Sequence, residues 1–239
     1  MKRFLAACVL GLATPAVAGP PYLTDDPVPT DLGRWEIYAF TAGDGLRAAF
    51  EGESGLDLNY GAANDVQLTA TLPVSVAYEP GHRWHGGTGD VELGVKYRLL
   101  NDEEIGVSAA VFPRIILPTS TLGTGERARL LLPIWVRKDF AGGTSIFGGG
   151  GYEINPGQDN RDFWRASVAV THDITKKVSL GAEIAQQGSD ALGGTSQTQA
   201  GIGGIVKIGG PSALLFSAGP TWADHHRGYH VYAALGLNF

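Results

Sequence analysis

Cysteine is nearly absent from this sequence. The single one, Cys8, sits close to the amino terminus, so no intramolecular disulfide can form, and a secreted chain of this length must be stabilised by other means. Beyond the first residues there is no apolar run of about 18 residues, which excludes a helical membrane anchor. Charge is sparse as well, at 18% of residues with a formal net charge of −6. Losing Lys2 and Arg3 with the amino-terminal segment would take −6 to −8. That balance argues against a nucleic-acid partner, which needs a clustered basic surface. No segment carries a convincing amphipathic helical pattern.

What is present begins with a targeting segment. Lys2 and Arg3 form a short basic region, Phe4 to Leu12 an apolar one, and Ala16-Val17-Ala18 a small-residue cleavage site before Gly19. Residues 1–18 therefore read as a secretory signal peptide. Leu5-Ala6-Ala7-Cys8 fits a lipoprotein box, but too little apolar sequence precedes it. Residues 19–33 follow as a proline-rich periplasmic leader with four prolines and three aspartates. Prolines deny it a strand ladder, so it either hangs free or folds into the mouth of whatever follows.

From Arg34 onward, alternating segments are separated by Gly, Pro, Asn and Asp clusters. They predict twelve strands: 34–41, 53–61, 65–78, 88–100, 104–118, 127–140, 143–153, 161–173, 176–187, 196–208, 211–220 and 229–239. Connection lengths alternate. The long ones are 42–52, 79–87, 119–126, 155–160, 188–195 and 222–228, and the short ones 62–64, 101–103, 141–142, 174–175 and 209–210. An even strand count with loops sorted by parity is the pattern of a transmembrane antiparallel up-and-down β-barrel. Residues 34–239 are read as an all-β outer-membrane barrel with both termini in the periplasm. Its final strand puts Val231, Ala233, Leu235, Leu237 and Phe239 on one apolar face, and the terminal Phe239 suits recognition by the barrel-assembly machinery. Pro73, Pro113 and Pro133 fall inside strands and should mark irregularities.

Period two also assigns faces. In 65–78 the apolar Val66, Leu68, Leu72, Val74 and Val76 oppose Gln67, Thr69, Thr71 and Ser75. Apolar positions face outer-membrane lipid, and the charged ones line the lumen: Glu36, Asp57, Asp90, Glu92, Lys96, Arg98, Arg114, Arg129, Arg137, Arg165, Glu183 and Lys207. On a lipid face Arg or Lys at the midplane costs ~2–4 kcal/mol, so inward placement is first a structural need. Two roles stay open for these residues, a salt-bridge lattice bracing the wall or contacts to a passing solute. Arg114, Arg129, Arg137 and Arg165 could favour an anion. Trp135 shares the inward face with Arg137 and could pack on arginines or on an aromatic solute. Trp35, Tyr60, Tyr78, Tyr97, Phe140 and Phe239 suit interfacial girdles. The register of 143–153 is obscured by its four glycines.

His82, His85, His225, His226 and His230 are read as loop surface rather than metal ligands, and no cofactor is expected. Nor is catalysis. A lipid-modifying barrel needs a serine beside a histidine base, yet there is no Gly-x-Ser-x-Gly elbow and His172 has no evident serine partner.

Pro20-Pro21-Tyr22-Leu23-Thr24-Asp25-Asp26-Pro27 and Gly33-Arg34-Trp35-Glu36-Ile37-Tyr38 resemble the start of an outer-membrane barrel family described as transporters of the MetA pathway of phenol degradation. Gly55-Leu56-Asp57-Leu58-Asn59-Tyr60-Gly61, Asn64-Asp65-Val66-Gln67-Leu68 and Gly89-Asp90-Val91-Glu92-Leu93-Gly94-Val95-Lys96-Tyr97 resemble its pattern too. The resemblance is best over residues 20–100. It implies a transport barrel and brings no site residues with it. The expectation is a channel passing a small aromatic or anionic solute. The alternatives are an occluded structural or interaction barrel, and a lipid-modifying enzyme.

Overall fold

The computed structural model describes residues 21–46, 48–81, 83–122 and 127–239. The segment read as a signal peptide lies outside them, as do Gly19, Pro20 and His82. Strand segments run β1 (Trp35–Leu46), β2 (Ala49–Ala63), β3 (Val66–Tyr78), β4 (His85–Thr88), β5 (Val91–Asp102), β6 (Val107–Val111) and β7 (Arg114–Leu117), then β8 (Arg129–Phe140), β9 (Thr144–Ile154), β10 (Phe163–Thr175), β11 (Val178–Gln187), β12 (Gln197–Gly209), β13 (Ser212–Ala223) and β14 (His226–Asn238). β4 and β5 both pair with β3, and β6 and β7 both bridge β5 to β8. Each of these two pairs is one wall strand with a break, so the wall has twelve strands, all antiparallel.

The cylinder closes where β14 meets β1, from Glu36↔Asn238 to Leu46↔Gly228. Phe239 completes the seam, because its backbone N–H and C=O exchange bonds of 3.0 and 2.8 Å with Trp35. Closure removes every free edge, which is what lets strands stand in hydrocarbon.

The predicted irregularities appear at Pro73 and Pro113, whereas Pro133 keeps an unbroken register with β9 at Pro133↔Gly151. Pro113 sits in the break between β6 and β7, whose ladder is carried by Phe112 N–H to the Pro133 carbonyl and Val95 N–H to the Pro113 carbonyl, both 3.1 Å. Opposite Pro73, the pairs Thr71↔Glu92 and Val74↔Thr88 leave one extra residue on the β4–β5 side, a bulge.

Burial is inverted relative to a soluble protein. Ser75 is 8% exposed while its neighbour Val74 is 56% exposed, and Thr69 and Thr71 are buried while Leu68 and Leu72 are not. Apolar side chains point outward to lipid and polar ones inward. Aromatic contacts band both rims. Trp35 meets Tyr60 at 4.8 Å on the end holding the termini, and Tyr78–Trp84 (5.2 Å) and Tyr152–Trp164 (5.0 Å) lie on the opposite end.

Loop parity holds at one end and fails in part at the other. All five connections on the terminal end have two to four residues. On the opposite end 79–84, 118–128, 155–162 and 188–196 are long, but the predicted long loops 42–52 and 222–228 are largely taken up by strand, with β1 and β2 paired as far as Leu46↔Ala49 and a tight hairpin at 224–225. Asp224 (φ 44) and His225 (φ 64) both take the left-handed conformation of a two-residue hairpin turn, without glycine. The same extension moves three histidines off the predicted loops. His85 and His226 lie on strands, and His230 is buried inside the barrel at 6% exposure.

Candidate functional site: the lumen and its leader

The interior is built from the inward positions of every strand and from residues 21–33, which run inside the barrel rather than hanging free. Three prolines in the described leader reduce its backbone donors, and those of Leu23, Thr24, Thr30 and Gly33 are met by the wall. Thr30 N–H and Oγ1 donate to Gln67 Oε1 at 2.8 and 3.1 Å, while the Gln67 amide donates to Asn59 at 2.7 Å and Thr69 at 3.0 Å. Leu32 bridges Gly61, and Gly33 N–H donates to the Gly61 carbonyl at 2.8 Å. A side chain at Gly61 would collide with the backbone of Thr30 and Asp31, so glycine is what lets the leader lie this close to β2.

The leader's tip is held by charge. Leu23 N–H, Thr24 N–H and Thr24 Oγ1 all donate to the Glu183 carboxylate at 3.2 Å. Lys96 donates to Asp25 Oδ1 and to the Asp26 carbonyl, both at 2.9 Å, and Arg137 stands 3.7 Å from the Asp26 carboxylate. The Tyr22 ring packs on Phe147 at 6.1 Å and on Ala169. Burial, helped by the charge of Glu183, pushes the Tyr22 hydroxyl up to about 12.

Towards the loop end lies a second set of pairs. Glu153, with no exposed surface, meets Arg129 at 3.0 Å and Arg165 at 2.6 Å, and Arg129 also reaches Asp90 at 3.2 Å. Arg114 pairs with Glu92 at 3.0 Å. Phe112 is flanked by the Lys96 ammonium at 5.0 Å and the Arg114 guanidinium at 4.7 Å from its ring centre. Asp44 accepts from Gln199, and Glu53 accepts from Ser75, each at 3.0 Å.

The leader divides the interior. On the terminal side is a vestibule of about 390 Å³ lined by Glu36, Asp57, Glu92, Lys96, Arg137 and Lys207, among others. Beyond the tip, small cavities lie among the described residues. One, of about 60 Å³, is lined by Leu23, Trp135, Arg114, Arg165 and Gln199, and another, of about 40 Å³, by Tyr22, Glu183, His230 and Tyr232. Such an interior offers water, charge and hydrogen bonds along one axis.

The sequence profile of the family described as "Putative MetA-pathway of phenol degradation" matches residues 57–239. The chain belongs to this family. The match begins downstream of the leader and runs to the carboxy terminus, whereas the motifs resembling the family seemed densest over 20–100. No curated sequence matches. Among solved structures, the COG4313 outer membrane channel from Pseudomonas putida F1 is similar at a TM-score of 0.71 and 10% identity, covering 89% of this chain and 97% of that one. The translocator domain of the autotransporter NalP from Neisseria meningitidis gives 0.54 at 14% identity, covering 87% and 90%. The KdgM porin in complex with disordered oligogalacturonate gives 0.56 at 10%, covering 83% and 97%. The fold is that of a bacterial outer-membrane barrel.

In this member of the phenol-degradation family, the thirteen charged and aromatic candidates take inward positions in separate groups, Lys207 among them on the vestibule lining. Lys96 and Glu183 hold the leader; Arg137 reaches both Asp26 and Asp139, the latter at 2.8 Å. Glu153 joins Arg129 to Arg165, Asp90 pairs with Arg129 directly, and Glu92 with Arg114 forms its own pair. Arg98 pairs with Asp65 at 2.6 Å on the terminal rim, away from the others. Glu36 accepts from Tyr38 at 3.2 Å, Asp57 from Thr71 at 3.3 Å, and Trp135 is 5% exposed. Sequence reasoning missed Glu153, hidden by the register of its glycine run, and Gln67, Asn59 and His230. Their signal was inward parity, which Gln67 and Asn59 share with Thr69 and Asp57. His172, outward on β10, bonds Thr144 Oγ1 at 2.9 Å rather than a serine.

Proposed function

We propose that the protein is a passive outer-membrane channel for a small solute, with the end bearing both termini in the periplasm and residues 21–33 closing it in the state described. The carrying observation is a closed barrel whose interior holds charged and polar groups on both sides of the leader, around a vestibule of about 390 Å³. The family's description connects it with phenol breakdown, in favour of a small aromatic solute, and the lumen cations favour an anionic one. The inward residues named above are its lining, and the activity is passage rather than catalysis. Phe239, fixed in the seam by its two bonds to Trp35, serves as the recognition end for barrel assembly.

The leader's occupation of the lumen favours a second reading, a barrel kept shut as a structural or interaction protein. Planar-bilayer reconstitution separates the two. The channel reading expects current from the wild type or from a variant with a loosened leader such as Glu183→Ala. Silence from both, in folded protein, leaves the second reading.

A further inference from the structure

Six cationic and six acidic side chains line the terminal-side vestibule, and two of the acids, Asp25 and Asp26, belong to the leader. The vestibule is therefore balanced with the leader seated, and its withdrawal leaves two positive charges in excess. Those charges have an address. Lys96 is 4% exposed, and its ammonium is met by the Asp25 carboxylate and the Asp26 carbonyl. Among the described residues Asp25 is the carboxylate paired with it, while Glu36 acts on Lys96 through charge. Arg114 is drawn to Glu92 on the other side of the Phe112 ring, and Arg137 faces Asp26 from across the vestibule. With the leader withdrawn, this ammonium faces the vestibule without its carboxylate and attracts an anion in its place.

From this arrangement, and resting on the channel reading, we infer that Asp25 is a built-in stand-in for the solute, and that Lys96, with Arg137 opposite, is a binding site for small carboxylates. The leader and the solute compete for one cation. Tethered to the wall at Thr30 and Leu32, the leader acts at high effective concentration, so a free carboxylate displaces it only when abundant. Once seated, the carboxylate takes the 2.9 Å contact that Asp25 vacates. The pore that opens prefers anions because a cationic lining attracts them.

The test uses the full chain in planar bilayers under a KCl gradient, comparing wild type with Asp25→Asn/Asp26→Asn. The double variant is expected to open more often, and its reversal potential to show chloride preferred over potassium by about threefold or more. Benzoate at millimolar concentration is expected to reduce the KCl current, and benzyl alcohol, with the same ring and no charge, to leave it unchanged. Lys96→Gln on that background removes both effects. Should the buried substitution prevent folding, Arg137→Gln, at a partly exposed position, is expected to lower the preference while leaving the barrel intact. A conducting double variant that is unselective, cation-preferring or equally sensitive to both ring compounds overturns the inference and leaves the channel reading standing. Absence of current from every variant overturns the channel reading and the inference with it.

Discussion

Glu183→Ala should unseat the leader without disturbing the wall. Three donors from Leu23 and Thr24 converge on this one carboxylate, which is 6% exposed. Hydrogen bonds to a charged group contribute roughly 1.5–3 kcal/mol each in favourable geometry. At 3.2 Å these lie at the long end of the range, so about 1 kcal/mol apiece is the fitting value. Docking of the tip should weaken by about 3 kcal/mol, and the undocked population should rise about 100-fold. Because Cys8 is the only cysteine, and falls in the segment read as the signal peptide, a single reporter thiol can be introduced. Pro27 is fully buried inside the barrel, so Pro27→Cys reports exposure of the leader directly. Maleimide labelling tracks the open population when closing outruns modification. The rate should rise about 100-fold in Glu183→Ala and less in Glu183→Gln, which keeps one acceptor. A rate within about twofold of the parent, in protein that still shows a heat-modifiable band, would refute the role given to Glu183.

Other perturbations probe the wall and the leader's remaining contacts. Glu153→Ala leaves Arg165 without the carboxylate it meets and takes one of two from Arg129; a loss of about 3–5 kcal/mol is expected, read as a lower temperature at which the folded band disappears on a gel. Ile202, 73% exposed on the outward face of β12, should resist charge. Ile202→Arg is expected to cost about 2–4 kcal/mol in denaturant-dependent insertion into lipid vesicles, and insertion equal to wild type would contradict its lipid-facing position. The raised pKa of Tyr22, about 12 against 10.0 when unfolded, means that its contribution is complete below pH 10 and is lost as pH rises through the folded value. Bilayer current should therefore increase between about pH 10 and 12 in wild type, and Tyr22→Phe should remove that part of the response.

Where period two ran unbroken, the barrel was legible before any coordinates. Thr69, Thr71 and Ser75 alternate with Leu68, Leu72 and Val74, and the wall follows that alternation. Legibility ended where residues carry no facial preference. Gly148 to Gly151 mark neither face, so Glu153 could not be assigned inward, although it joins Arg129 to Arg165. The hairpin at 224–225 was read as a loop because Asp224 and His225 adopt a conformation usually signalled by glycine or asparagine. The leader's destination was illegible for a different reason. Proline and aspartate together read as solvated chain, and only three-dimensional pairing shows that Asp25 has a buried lysine waiting 71 positions away.

That separation bears on the order of events during biogenesis. The leader leaves the secretion machinery first, yet the groups that receive it come from β3, β5 and β11, and Leu23 is 160 positions from Glu183. A wall that stops short of β11 offers Lys96 without Glu183. The earliest segment made is thus among the last to find its full set of partners, because its clasp waits for Glu183 on β11. A copy whose chain is cut short before β11 would carry a wall without its plug, and sealing of the lumen depends on sequence far from the segment that seals it.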